Sequence, residues 1–505
     1  MFCVMKRRVM WGGLTAVVVG ALLGVHELVS EQVSSVNRTI FRQYDIRGVV
    51  GDELPLDQVY RLGRAVAAYL LEQDASVKTV ALGMDGRTHS PEIRDNMARA
   101  LVDSGLDVIS IGVCPTPVMY FGLHTLPVQA GIAVTASHNT KEYNGFKICL
   151  GHDMVWGEQI QQVYELYRAG VRVESKQTGT VEERDIIPAY VDYLAEQFGD
   201  LRDMTLPVIF DCGNGTAGPV IMRLAQLLGW QQAFFMYADV DGSYPNHEAD
   251  PTVEKNMLDL RVRLRGSNAA VGIGFDGDSD RMAAMTPAGR LIPGDEMLAI
   301  LARPVVQEAP GSRVVYDVSC SDRVPILLEH WGGGGLMVPT GSSYIKQGMR
   351  QKDVFLGGEI SGHYMFADRY FGYDDGIYTA LRLLESMVCG GKTIDELASI
   401  FPRWCSSPIF RPMCADDQKQ EVVNKARHYF AEREDAVVTI IDGVRVTLPY
   451  GSVIIRASNT QPAISVRFEA TTLDNFVRLR DELAQLLAPY VDVEPLRLFD
   501  GGRSC

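Results

Sequence analysis

The sequence predicts an α/β protein: three related α/β domains with mixed, mostly parallel sheets and a smaller C-terminal α+β domain, arranged around a central cleft. Three observations carry this expectation. An apolar strand ending in an aspartate-led turn occurs three times, as "KTVALGMDGR", "LPVIFDCGNG" and "SRVVYDVSCS", closing at Asp85, Asp211 and Asp317. Each is followed by an apolar, helix-compatible run and then by a second strand and turn, "AGIAVTASHN", "AAVGIGFDGDSD" and "DVFLGGEISGH". Strands alternating with helical stretches imply parallel α/β units. After about residue 410 the pattern becomes short strands with glycine turns, "AVVTIIDGVRVTLPYGSVIIRASNT", between the helical stretches "QKQEVVNKARHYFAERE" and "LDNFVRLRDELAQLLAPY".

The N-terminal segment, residues 1–37, is read apart from the fold. Lys6, Arg7 and Arg8 precede seventeen uncharged residues, Val9 to Val25. A spanning helix needs roughly 17–25 apolar residues, so residues 9–25 are a candidate membrane anchor. A signal-like segment, or sequence upstream of a start at Met5 or Met10, fits the same residues. The remaining boundaries fall at 38–184 for the first α/β domain, 185–289 for the second, 290–407 for the third and 408–505 for the C-terminal domain. A chain of 505 residues is too long for one core.

The net charge is −15, which argues against a nucleic-acid partner, since that would need a basic face. Nine scattered cysteines with no C-x-x-C pair give neither a disulfide framework nor a zinc site. They point to a reducing compartment and a cytoplasmic catalytic region. The positive-inside rule pulls the other way if residues 9–25 span a membrane.

Four loops carry candidate chemistry. In "TASHNTKEYNGFKI", Ser137 leaves a buried strand with His138 beside it and Lys147 ten residues on. In "GFDGDSDRM", Asp276, Asp278 and Asp280 alternate; three carboxylates so close repel unless a cation sits among them, and all-oxygen ligands suit Mg²⁺. In "GGEISGH", Glu359 and Ser361 would bind neighbouring sugar hydroxyls. In "RASNTQPAISVRFEA", Arg456, Ser458, Asn459 and Thr460, with Arg467 on the next strand, have the guanidinium and hydroxyl groups of a phosphate cage. "FRQYDIRG" adds Tyr44 and Arg47. Such a set calls for phosphoryl transfer to or from a sugar.

On "TASHN", "DGDSDR", "GGEISGH" and "RASNTQP", the chain resembles the α-D-phosphohexomutases of the bacterial phosphomannomutase/phosphoglucomutase branch, over roughly residues 38–500. The resemblance implies four domains around a cleft. It implies a phosphorylated Ser137 that, with Asp276, Asp278 and Asp280, binds one Mg²⁺. His138 and Lys147 would assist as acid and base. Tyr44, Arg47 and Arg281 would contact substrate, and Glu359 and Ser361 the sugar hydroxyls. Arg456, Ser458, Asn459 and Thr460 would grip the phosphate that stays in place, with Arg467 supporting that loop. The expected partner is a hexose phosphate, the expected intermediate and activator a hexose 1,6-bisphosphate, and the expected state a monomer. Phosphoglucosamine mutation, or a metal-dependent phosphatase or sugar-phosphate binder, are the alternatives. Two positions depart from the pattern: Ser319 replaces a lysine and Ser342 a histidine, both in the third domain's substrate contacts.

Overall fold

The computed structural model describes residues 37–458 and 462–500. The described strands form four sheets. The first holds β1 (Ile46–Val49), β2 (Thr79–Met84), β3 (Asp107–Val113), β4 (Ala130–Val134), β5 (Tyr143–Leu150), β6 (Asp153–Met154) and β7 (Val181–Glu183), in the order β1-β5-β4-β2-β3-β7, with β6 on β5. The second holds β8 (Val208–Asp211), β9 (Ala233–Met236), β10 (Val271–Phe275) and β11 (Met282–Met285); the third holds β12 (Arg313–Asp317), β13 (Gly334–Val338), β14 (Val354–Gly358) and β15 (Tyr364–Phe366).

The repeat expected from the sequence is present as topology. The orders β3-β2-β4-β5, β9-β8-β10-β11 and β13-β12-β14-β15 are the same four-strand unit. In each unit the first three strands are parallel and the last returns antiparallel. Parallel strands covered on both faces must be apolar throughout, and every residue of β4 and of β10 is buried. The unit places three loops at equivalent points: residues 135–142 after β4, 276–281 after β10 and 359–363 after β14. These lie beyond the carboxyl ends of the strands, where open α/β sheets bind ligands.

The fourth sheet is antiparallel: β16 (Cys405–Ser406), β17 (Val437–Thr439), β18 (Val444–Leu448), β19 (Gly451–Ala457) and β20 (Ile464–Ala470), ordered β16-β20-β19-β18-β17. The helices Lys419–Ala431 and Leu473–Leu487 cover it, and Val446, Ile455, Val466, Phe468 and Phe476 fill its separate core. The second and third units share one core, with Phe210, Phe275, Leu298 and Phe366 among its members.

Among the described residues no helix is long and apolar enough to cross a membrane. The candidate span at residues 9–25 lies outside them. Cys114, Cys149, Cys212, Cys320, Cys389 and Cys414 are free thiols. Cys405 is disulfide-bonded, a bridge the spacing did not announce. Pairing between distant cysteines leaves no local signal.

Candidate active site

Ser137 stands at the end of β4 in the left-handed region, at φ 52°. A non-glycine residue there costs about 1–3 kcal/mol and persists only when its surroundings hold it. Thr135 Oγ1 accepts from Ser137 N at 2.8 Å. Arg87, fully buried and paired with Asp85 at 3.0 Å, donates to the carbonyls of Ser137 at 2.9 Å, Asn139 at 2.6 Å, Thr140 at 2.6 Å and Tyr143 at 3.1 Å. One guanidinium thus shapes the whole loop and turns the Ser137 hydroxyl toward the second domain. There Ser137 Oγ donates to Asp276 Oδ2 at 2.8 Å.

The aspartate loop opens where β10 ends, and its three carboxylates lie within 4.8 Å of one another. Burial pushes Asp276 well above the ordinary carboxylate range, and the charges of Asp280 and Asp278 add to it. Burial acts the same way on Asp280, yet Lys147 and His363 outweigh it and hold that group well below. Lys147 Nζ donates to Asp278 Oδ2 at 2.6 Å and to Asp280. Thr116 Oγ1 donates to the same Asp278 oxygen at 2.6 Å. The other oxygen of each, Asp278 Oδ1 and Asp280 Oδ1, is buried without a hydrogen bond among the described residues. Buried acceptors left unmade are costly. Three convergent carboxylates, with Asp278 Oδ1 unpartnered and Asp280 Oδ1 met only by the longer ion-pair contact of His363 Nε2 at 3.4 Å, fit a hard divalent cation of the Mg²⁺ kind.

His138 is partly buried, and its Nδ1 lies 3.2 Å from Ser137 Oγ. Loss of water around the ring, reinforced by Arg281 and Arg47, pushes its pKa well below the usual value. It is therefore a neutral imidazole, able to accept a proton. Arg47 Nη1 donates to Asn139 Oδ1 at 2.6 Å on the same loop. Tyr44 reaches across to the third domain, donating to Thr340 O.

In the third loop Glu359 accepts from Gly341 N, from Ser361 Oγ at 3.0 Å and from His363 Nδ1 at 2.8 Å. His363 Nε2 lies 3.4 Å from Asp280 Oδ1. Burial and Arg281 depress the His363 pKa, but Asp280 and Glu359 outweigh them and carry it to about 9. Arg281 Nε, 3.1 Å from His363 Nε2, then approaches as a second cation. The ring ties the aspartate loop to the sugar loop.

Arg456 ends β19 and pairs with Asp442 at 2.6 Å; Asp442 also accepts from Thr340 N of the third domain at 3.2 Å. Ser458 is buried nearby, its N donating to Ala463 O at 3.0 Å. Asn459 and Thr460 lie outside the described residues. Arg467 stands opposite Ile454 and so shares a sheet face with Arg456; on that face it pairs with Asp295 at 2.8 Å and donates to Ser319 O. It sits on β20 where alternation turns its side chain into the junction with the third domain. Ser319 Oγ meets Thr340 Oγ1 at 3.1 Å, and Ser342 opens the helix Ser342–Met349.

The geometry thus joins Ser137, His138, Lys147, the three aspartates, Arg281 and Glu359 directly. Sequence reasoning missed Arg87, Thr116 and His363 as members of the site. Arg87 and His363 both stood inside quoted motifs; Thr116 carried no signal.

A serine hydroxyl on a strained turn, a carboxylate cation site and a guanidinium-lined rim, set on three repeats of one α/β unit, define a four-domain protein built for anionic sugar chemistry. The chain belongs to the phosphoglucomutase/phosphomannomutase family. The models of its α/β/α domains I, II and III match residues 38–172, 188–289 and 293–404, and that of its C-terminal domain matches residues 418–486. The chain is 38% identical to a phosphomannomutase/phosphoglucomutase of Pseudomonas aeruginosa, over 88% of this chain and 94% of that one. It is 35% identical to a phosphoglucomutase of Neisseria gonorrhoeae, over 90% and 98%. The crystal structure of a phosphoglucomutase/phosphomannomutase family protein from Burkholderia thailandensis superposes with a TM-score of 0.83 at 34% identity, covering 90% of this chain and 98% of that one.

Proposed function

We propose that this protein interconverts hexose 1-phosphate and hexose 6-phosphate, of glucose, mannose or both, through a phosphoserine at Ser137 and a sugar bisphosphate. The observation that carries the reading is the 2.8 Å contact of Ser137 Oγ with Asp276 in a cluster of three buried carboxylates. A phosphoryl group there adds about −1.5 to −2 of charge, which demands a cation at the same place.

A sugar hydroxyl attacks the phosphoryl group, the Oγ–P bond breaks and the new O–P bond forms on the sugar. The hydroxyl's proton passes to a base, and His138, kept neutral, stands at that point. Lys147 is a cation throughout, since Asp278 and Asp280 outweigh its burial and raise its pKa; it balances charge on the moving group. Asp276, Asp278, Asp280 and the phosphoserine would hold the Mg²⁺, which would supply Lewis-acid stabilisation of the phosphoryl oxygens. Glu359 and Ser361 orient the sugar, and Arg456 and Ser458 hold the other phosphate. The bisphosphate then turns over and returns its second phosphoryl group to Ser137, releasing the positional isomer.

Incubation with glucose 1-phosphate and a trace of glucose 1,6-bisphosphate tests this. Glucose 6-phosphate is the expected product, formed only while Mg²⁺ is present and lost on EDTA treatment. Release of free phosphate in its place would make the protein a phosphatase. Mannose 1-phosphate in parallel reads the sugar preference.

A further inference from the structure

Arg411 belongs to no motif in the sequence. It lies in the stretch leading into the fourth domain, which runs antiparallel along β20. Phe410 and Val466 exchange backbone hydrogen bonds at 2.9 Å each, Ile464 N donates to Pro412 O at 3.2 Å, and Cys414 N donates to Pro462 O at 2.9 Å. Phe410 turns inward onto Phe468 and Phe499. Alternation along an extended segment then sends Arg411 to the opposite side, next to the turn that carries Ser458. Its side chain is exposed, yet it stands within electrostatic reach of Arg456, Arg281 and Asp250.

The neighbouring guanidinium groups are already paired: Arg456 has Asp442 at 2.6 Å, and Arg281 has Asp276 at 3.8 Å and Asp280 at 4.0 Å. Asp250 accepts from Thr252 N at 3.0 Å and Oγ1 at 2.6 Å, and its charge acts on Arg411 without pairing with it. Arg411 makes no ion pair or hydrogen bond among the described residues. In a molecule of net charge −15 an exposed guanidinium without an ion pair, on the sheet face that carries Arg456, is open to an incoming dianion.

We infer that Arg411 is a substrate-binding residue: with Arg456 it grips the phosphate monoester that stays on the sugar while the other phosphoryl group moves. The inference rests on the function proposed above, but its first readout is binding. Titration calorimetry with glucose 1-phosphate should show Arg411→Ala binding roughly tenfold or more weaker than the parent, and Arg411→Lys recovering part of the loss. In turnover the same variant should raise KM with little change in kcat, because this phosphate is held in ground and transition states alike. Arg411→Ala and Arg456→Ala combined should depart from the product of the single effects, as two groups on one phosphate must. Circular dichroism should be unchanged, since the side chain is exposed. Unchanged affinity in Arg411→Ala, or a fall in kcat at unchanged affinity, would overturn the assignment. A parent protein that binds glucose 1-phosphate without isomerising it defeats the proposed function and leaves the binding test of Arg411 standing. A parent that does not bind it defeats both.

Discussion

At the residue scale, the site is a problem of charge placed before the substrate arrives. Ser137 is held in a left-handed conformation by Arg87 and Thr135, and its hydroxyl meets a carboxylate and a neutral imidazole. Replacing it as Ser137→Ala leaves every one of the backbone anchors in place and removes only the hydroxyl proposed to carry the phosphoryl group. Mutase activity should fall by about a thousandfold or more, while calorimetry still detects Mg²⁺ at the three aspartates; normal turnover in a folded variant would sink the role of Ser137. What the sequence disclosed at this scale follows from adjacency. Asp276, Asp278 and Asp280 are crowded along the chain itself, so their need for a cation is visible before folding. Arg87 works on carbonyls about 50 residues away, and His363 reaches an aspartate of another domain. Neither interaction has a local pattern, so only the folded chain reveals them.

At the element scale, the repeated unit explains why three loops meet, and one helix explains how two of them are locked together. The helix Gly376–Val388 starts against the aspartate loop, with Gly376 N donating to Ser279 O at 3.0 Å. A side chain at Gly376 would collide with the Arg281 carbonyl, 2.4 Å from where its Cβ would stand. Asp375 caps this helix, accepting from Tyr378 N at 2.9 Å, and its other oxygen accepts from Tyr190 and Tyr370 at 2.8 Å each. Tyr190 comes from the helix Ile187–Gln197, so one carboxylate joins the second unit to the third. Asp375→Ala removes a cap, for about 0.5–2 kcal/mol, and takes the carboxylate partner from the buried Tyr190 hydroxyl, at about 1–3 kcal/mol, while Tyr370 Oη keeps Tyr373 Oη at 2.5 Å. A loss of about 2 kcal/mol or more is expected, read as an earlier midpoint in urea, with weaker Mg²⁺ binding because the aspartate loop loses its backing. Asp375→Asn keeps the cap and should lose less. Equal stability of the alanine variant and the parent would remove Asp375 from this role. The strands of the unit were legible because buried parallel strands are unbroken apolar runs. The tie to Tyr190 was not, because that partner lies 185 residues away.

At the scale of the whole molecule, the question is what holds the fourth domain, with Arg456 and Ser458, against the third. Its core is separate from the others, so docking rests on the junction, and that junction is ionic. Arg445 donates to the carbonyls of Val318 and Cys320 and pairs with Asp322 at 2.7 Å. Arg323 pairs with Glu469 at 3.1 Å, and Ser321 Oγ donates to the same carboxylate at 2.6 Å. Arg467 pairs with Asp295 at 2.8 Å. All three arginines are buried. Burial drags on the ionised form of Asp295, yet Arg467 and Arg323 hold its pKa below the usual carboxylate value. Arg467 shares its sheet face with Arg456, and its partners Asp295 and Ser319 belong to the third domain. We propose that it acts on substrate through this junction. Removing one partner of a buried pair costs roughly 3–5 kcal/mol, since the other charge is left unpaired. Arg467→Ala should loosen the fourth domain as a unit, seen as faster proteolytic cutting near residues 402–411 without loss of the first three domains' secondary structure. KM for a hexose phosphate should rise, while Mg²⁺ affinity, set by the Ser137 and aspartate loops of the first and second domains, should be unchanged. The paired change Arg467→Met with Asp295→Leu removes both charges and should restore much of the protease resistance. If Arg467→Ala raises KM at parental protease resistance, Arg467 acts on the phosphate loop itself and not through the junction.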